Sequence, residues 1–355
     1  MSKKLKVGLI GLGGICWAVH LPAYDGLRDK VEIVALCDIV EGKIDAVRNR
    51  LGNPDIPGFT DYKELLKVEG LDFIDICTPN YLHSIIAVDA LNAGINVFCE
   101  KPDAVSVSEA LRMREAAEKN NKHLMVMRNN RHRATAQYVK RYVESGRMGE
   151  IYCGRCGWQR RRGIPGKGGW FTTKAQSGGG PLIDLGVHMI DLAIWLMGNP
   201  TPVAVSGCTY TKFANSDVSD SVNSDFGEKK ADGTFDVEDL AMGFIRFDNG
   251  ACLQIEVSWA SNVEKEVNFV ELRGDKAGMS LYGDELKIFA EDNGILQDIY
   301  PKTHGRQPHA LNIEHFVDVL LNGAEPDFTP TQGVNMIKIL EAMYKSAESG
   351  AEVRL

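Results

Sequence analysis

Leu5-Lys-Val-Gly-Leu-Ile10-Gly11-Leu-Gly13-Gly14-Ile15-Cys16 decides the reading of the first half of this chain. A short apolar run rich in Leu, Val and Ile ends in a glycine cluster, and a helical pattern follows; this is strand, tight turn and helix start. Gly11 permits the turn. Gly13 lets the backbone approach a ligand, and Gly14 and Ile15 head a helix whose unpaired amides attract an anion. About twenty residues on, a second apolar run, 31–37, ends in Asp38, the place and charge that suit a ribose hydroxyl. The next glycine position of the pattern holds Cys16, and a thiol, little larger than a methyl, still permits close helix–strand packing. Together these features read as a βαβ unit that binds a dinucleotide. The carboxylate of Asp38 disfavours a 2′-phosphate and no Arg follows it directly, so NAD is expected, while Lys43 leaves NADP open.

Working outward, the runs 5–10, 31–37, 73–77, 95–99 and 123–127 are apolar throughout, and helical patterns at 41–51, 62–68, 81–92 and 107–120 separate them. Strands of this kind are covered on both faces, so a doubly wound parallel α/β sheet of the Rossmann type is expected over residues 1–127. Ser106 with Glu109 forms a capping box at the start of the last of these helices. From 128 to 355 the pattern changes to longer runs at 151–160, 202–210, 241–247, 251–259, 267–274 and 279–289, with Asp248-Asn249-Gly250 as a hairpin turn. An α+β substrate-binding domain with a large, mostly antiparallel, open-faced sheet is expected there. Helices are read at 182–197, 310–322 and 333–349, and the polar, aperiodic stretch 214–234 reads as a solvated loop near the site.

Composition narrows the function classes. The 355 residues carry a net charge of −8, which opposes nucleic acid and anionic membranes as partners. The closest approach to a membrane span, 182–197, holds two Asp and a His. The positive N-terminus runs into a short glycine-rich strand and not a secretion signal. Eight scattered cysteines, several inside strand-like runs, read as reduced thiols in a cytoplasmic protein. Cys153 and Cys156 have metal-ligand spacing but no second pair, so no metal is expected.

Between 182 and 197 every residue is apolar or glycine except Asp184, His188 and Asp191, which share one helical face at i, i+4, i+7. Polar groups on a helix buried all round must be hydrogen-bonded or line a cavity. Lys101 ends the run 95–99 with Glu100, and Pro102 stops the strand directly after it.

Three segments together resemble the Gfo/Idh/MocA oxidoreductases, a family that includes inositol and glucose–fructose dehydrogenases: Gly11–Cys16 with Asp38; Cys99-Glu100-Lys101-Pro102; and Ser177 through Asp184 and His188 to Asp191. The resemblance implies a Lys–Asp–His catalytic group of Lys101, Asp184 and His188 beside the nicotinamide. It also implies cofactor contacts from Thr78, Pro79, Asn80, His83, Glu100 and Lys101. The expected reaction is hydride transfer between NAD(P) and a carbinol or ketone of a sugar, cyclic polyol or sugar derivative. His188 would be the acid–base, Asp184 its partner and Lys101 the cation on the substrate oxygen. The acid–imidazole stripe and the lysine are expected to converge across an interdomain cleft. Two alternatives stand beside this reading: an NAD-dependent glycosidase working by transient oxidation, and a non-catalytic dinucleotide-sensing regulator.

The segment from Trp158 to Phe171 admits two readings. Arg161 (or Arg160) binds an anionic substrate group and Trp170 a flat sugar face, or both serve only a strand end and the core. His309, before a helix, is a further substrate-side candidate or a surface residue. The open sheet needs a cover, so a homodimer or homotetramer packed through it is expected.

Overall fold

The structure, a computed structural model, describes residues 4–355. The chain forms two compact units, one running up to Asn129 and including Gln307–Val334, the other made of Asn130–Arg306 and Asn335–Leu355.

The first unit is built on six strands: β1 (Leu5–Ile10), β2 (Val31–Cys37), β3 (Gly58–Phe59), β4 (Phe73–Ile76), β5 (Asn96–Cys99) and β6 (Leu124–Val126). They lie in the order β3-β2-β1-β4-β5-β6, and every pairing is parallel. Phe73, Ile74, Ile76, Val97 and Phe98 reach no solvent, because helices such as Glu41–Leu51, His83–Asn92 and Val107–Asn120 connect the strands. The expected doubly wound sheet is present, and the Ser106 side chain accepts from Glu109 N at the predicted cap. The strand order reverses between β1 and β4, so the loops after these strands part there and open a crevice.

The sequence reading gave the helix near 310–322 to the second domain. Its apolar face is instead buried in the first unit: on helix Pro308–Asn322, the Phe316 ring lies 5.4 Å from Phe73 and 5.2 Å from Phe98. Asn312 Oδ1 accepts Arg128 N at 2.6 Å. Helical periodicity shows that a face will be buried, not which sheet buries it.

The second unit holds β7 (Ile151–Gln159), β8 (Pro202–Tyr210), β9 (Leu240–Phe247), β10 (Cys252–Ser258), β11 (Val267–Gly274), β12 (Ala277–Tyr282), β13 (Glu285–Asp292), β14 (Ile295–Ile299) and β15 (Val353–Arg354). Their order is β14-β13-β12-β11-β7-β10-β9-β8-β15, antiparallel at each pairing except β7–β10. The predicted hairpin joins β9 to β10, with Gly250 at φ +84°. Helix Val187–Leu196 packs on β7 and β11. Met343 seats on Gly207 and Gly243, which face each other in register; a Cβ on either would lie 2.0 or 2.2 Å from its sulfur. That close seat fixes where the last helix crosses the sheet.

The stretch 214–234 is mostly exposed to solvent, as expected, but it is tied to the segment before the second-domain helix. Phe226 O accepts Gly166 N at 2.7 Å, Lys230 N donates to Lys167 O at 2.9 Å, and the Phe226 ring meets Phe171 edge-on. Backbone pairing of this kind leaves no periodic mark on side chains. Among the described residues one helical stretch, Lys174–Leu196, is long and apolar enough to cross a membrane, and 83% of its apolar window is buried inside the fold.

Candidate active site

After β1 the chain turns at Gly11, whose φ is +89° and whose missing Cβ would stand 2.7 Å from the Cys77 carbonyl. Both the left-handed backbone and the close approach of the β4 turn demand glycine there. A Cβ at Gly13 would meet nothing within 4 Å, so open space lies before the turn. Residues 14 and 15 begin the helix, and Cys16 fits the third position with no solvent exposure, its thiol beside that of Cys77. Asp38 Oδ2 accepts Leu12 N at 2.8 Å and Oδ1 accepts Val40 N at 2.9 Å, with Lys43 Nζ 3.7 Å away. This aims a pinned carboxylate from the end of β2. Thr78 Oγ1, in the turn after β4, is buried and has no hydrogen-bond partner among the described residues. An open glycine turn at a helix start, a fixed acid at the end of the strand on one side and an orphan hydroxyl after the strand on the other fit a dinucleotide.

His83 is fully buried. Its Nδ1 lies 2.7 Å from Pro102 O and its Nε2 2.9 Å from Thr78 O, so the ring ties the Thr78-Pro79-Asn80 turn to the end of β5. Burial lowers its pKa, and the neutral ring donates its one N–H to one of the two carbonyls. His83 thus clamps two loops, one of them the Thr78-Pro79-Asn80 turn expected at the cofactor. Glu100, also buried, accepts Lys101 N on Oε2 at 3.0 Å and meets His20 Nε2 on Oε1 at 2.9 Å. Lys101 is half-buried, and the ring of His309 faces Glu100 and Lys101 from the start of its helix. Burial lowers the His309 pKa, as does the lysine's charge.

The second constellation sits on the helical stretch through Leu182–Gly186, a π turn, and Val187–Leu196. From 179 to 193 every residue is buried except Asp184 and His188, which stay partly exposed. Trp259 Nε1, at the end of β10, donates to Asp184 Oδ2 at 2.9 Å. The His188 ring lies 5.9 Å from Trp158 on β7. Glu238 caps the start of the stretch: its carboxylate accepts Gly180 N, Leu182 N and the Tyr344 hydroxyl, each at 3.0 Å. Burial raises the Glu238 pKa in spite of those donors.

The stripe splits in the structure. Asp191, unlike Asp184 and His188, is buried, and it holds a two-pronged pair with Arg131, at 2.8 and 2.6 Å. The wider π turn breaks the i, i+4, i+7 register on which the stripe was read. Arg161 is exposed and pairs with Asp220 at 3.2 Å, whereas Arg160 is the buried member. The Arg160 guanidinium lies 5.4 Å from the Trp158 ring, donates to Gly163 O, and sets its charge against Asp184 while burial lowers its pKa. Trp170, partly buried, stacks on Phe171 at 3.8 Å and packs against the cluster of Ile164, Leu185, Val237 and Trp259. Trp259 and Glu238 escaped sequence reading. The only trace of the first was an indole at a strand end, and nothing marked the second.

Residues 5–128 match the oxidoreductase family with an NAD-binding Rossmann fold, and residues 136–280 match the GFO/IDH/MocA C-terminal domain. The chain is 33% identical over 356 residues to D-glucoside 3-dehydrogenase of Escherichia coli (strain K12), covering 100% of this chain and 98% of that one. Levoglucosan dehydrogenase of Pseudarthrobacter phenanthrenivorans is 30% identical over 66% of this chain and 62% of its own. A levoglucosan dehydrogenase solved with NADH and levoglucosan superposes with a TM-score of 0.86 at 23% identity, over 99% of both chains, and so shares the fold. The glycine turn with Asp38, the Glu100-Lys101-Pro102 strand end and the two-unit architecture agree with these likenesses: this chain belongs to the GFO/IDH/MocA oxidoreductases, an NAD-binding family.

Proposed function

We propose that this oxidoreductase reversibly oxidises a ring hydroxyl of a sugar or sugar derivative with NAD, and that Lys101, Asp184 and His188 act in one reaction. The observation that carries the reading is the exposure pattern of 179–193, in which only the acid and the imidazole keep contact with solvent. Support for a sugar comes from relatives named for glucosides and levoglucosan. Gly11, Gly13, Gly14, Ile15, Asp38, Thr78, Pro79 and Asn80 hold the dinucleotide, and when bound its nicotinamide accepts or returns the hydride. His188 takes the proton of the substrate hydroxyl, and Asp184, itself oriented by Trp259, stabilises the imidazolium. Lys101 donates to the substrate oxygen as charge develops on it.

The test is a screen of inositols, aldoses, anhydrosugars and glycosides with NAD and NADP, followed by Lys101→Met, His188→Ala and the double variant. Each single variant is expected to lose about 10²–10⁴ in kcat. The double variant should lose far less than the product, because the groups serve one step. Glycoside cleavage without net NADH, or near-wild-type turnover in both single variants, sinks the reading. We also read the open sheet face, with Tyr210, Tyr282 and Phe289 exposed, as the interface of a homodimer or homotetramer, and the eight free cysteines as the mark of a reducing compartment. Sedimentation showing monomer alone removes the former.

A further inference from the structure

Beneath the glycine turn lies a buried ionisable cluster that the reaction above does not use. Asp75 sits in the middle of β4, within the parallel sheet, and has no exposure. An ionised acid there is costly unless it is paired and hydrogen-bonded. Its Oδ2 meets His20 Nδ1 at 2.7 Å and accepts the Tyr24 hydroxyl at 2.8 Å, and its Oδ1 accepts the Cys77 thiol at 3.8 Å. The other ring nitrogen of His20, Nε2, meets Glu100 Oε1 at 2.9 Å, and Glu100 Oε2 accepts Lys101 N. His20 belongs to the π turn Cys16–His20 in the helix that starts at the glycine turn. A second π turn among the described residues, Leu182–Gly186, carries Asp184, and such turns recur at functional sites.

A neutral imidazole has one N–H and would aim its second nitrogen's lone pair at a carboxylate oxygen. Carboxylates on both nitrogens are satisfied together only by an imidazolium. The groups facing the ring and Glu100 agree. Burial works against a charged His20, yet Asp75 and Glu100 lift its pKa well above the ordinary value. Burial likewise works against an ionised Glu100, but His20, with His309 and Lys101 adding their charges, brings it down to about 2. The neighbouring thiols, Cys77 and Cys99, are pushed far up by burial, and His83 is held neutral by burial. The spacing of His20, Asp75 and Cys77 would suit a metal ion. However, a ring nitrogen whose proton is shared with a carboxylate has no lone pair to give one.

The geometry points to His20 as a positioning residue: its imidazolium, bridging Asp75 and Glu100, ties the helix of the dinucleotide turn to the strand end that presents Lys101. This rests on the role of Lys101 proposed above. The bridge sets Glu100 as an anion, and Glu100 in turn holds the backbone amide of Lys101, so the lysine's origin is fixed from the cofactor side.

Three measurements decide it. In ¹⁵N imidazole spectra of the wild-type protein, His20 should stay doubly protonated at pH 8; a neutral ring there overturns the proposal without any variant. His20→Gln should keep NADH affinity within about threefold and lose at least tenfold in kcat. It should also gain an acid limb above pH 5, as Glu100 loses its cation and takes up a proton. The double variant His20→Gln/Glu100→Gln, in which Asp75 is the one carboxyl of the cluster that remains, should lack that limb; a limb that persists in it belongs to Asp75 and counts against the proposal. A merely structural role predicts a lowered melting temperature and unchanged pH dependence, and that result also overturns it. Lys101→Met run alongside separates the two readings. If it is inactive while His20→Gln keeps wild-type kcat and pH profile, the bridge fails and the lysine stands; if it is fully active, the lysine's role fails and takes the bridge's function with it, while the spectra still report the proton.

Discussion

At Asp38 one carboxylate has two duties: it accepts the amides of Leu12 and Val40, and it presents an acid at the end of β2. Asp38→Ser should raise KM for NAD about tenfold and improve the NADP to NAD ratio, with Lys43 left facing the site; steady-state kinetics with both cofactors checks this, and an unchanged ratio refutes it. Trp259 was invisible as a functional group in the sequence, yet its indole N–H holds Asp184. Trp259→Phe keeps the ring and removes the donor, so kcat should fall about fivefold, the equivalent of about 1 kcal/mol for one hydrogen bond. Asp184 and His188 were legible because polar side chains stood alone in an apolar run. Asp191, read with them as hydrogen-bonded or lining a cavity, is the hydrogen-bonded case, but its partner, Arg131, lies on a different element and sequence spacing carries no sign of it.

The helical stretch that bears Asp184 is held by its ends and flanks. Glu238 reaches its start from the segment before β9 and satisfies two amides that have no partner in a helix's first turn. Glu238→Ala should cost about 2–4 kcal/mol, since it strands those amides and the Tyr344 hydroxyl in the interior; urea unfolding measures it. Arg131→Met leaves Asp191 charged and buried and should cost about 3–5 kcal/mol, more than the pair itself contributes. At this scale the strands of the first unit were plain in the sequence, because residues covered on both faces read as unbroken apolar runs. The π turn at 182–186 was not, because periodicity assumes a uniform 3.6 residues per turn.

For the whole molecule, the buried cluster of the first unit gives stability a pH window. Glu100 has a folded pKa lowered to about 2 from 4.5, so its contribution is present above about pH 4.5 and is lost as pH falls toward 2. His20 has a raised folded pKa, so its contribution is complete below about pH 6.5 and is lost as pH climbs through the raised value. Melting temperature should therefore be highest between about pH 4.5 and 6.5 and decline on the alkaline side. In His20→Gln that alkaline decline should flatten; a decline of the same size and position in the variant contradicts the assignment.

What the amino-acid order determined alone was local: runs apolar on both faces, a glycine turn followed by a helix, an acid at the next strand's end, and three polar residues in an otherwise apolar helix. Each follows from steric and solvation rules that act over a few residues. Tertiary structure decided which groups meet across long stretches of chain: His20 with Asp75 and Glu100, Asp184 with Trp259, Asp191 with Arg131, and Phe316 with Phe73 and Phe98. Such pairs form because a buried charge must find a counterpart wherever the fold brings one, and only the packed chain says where that is.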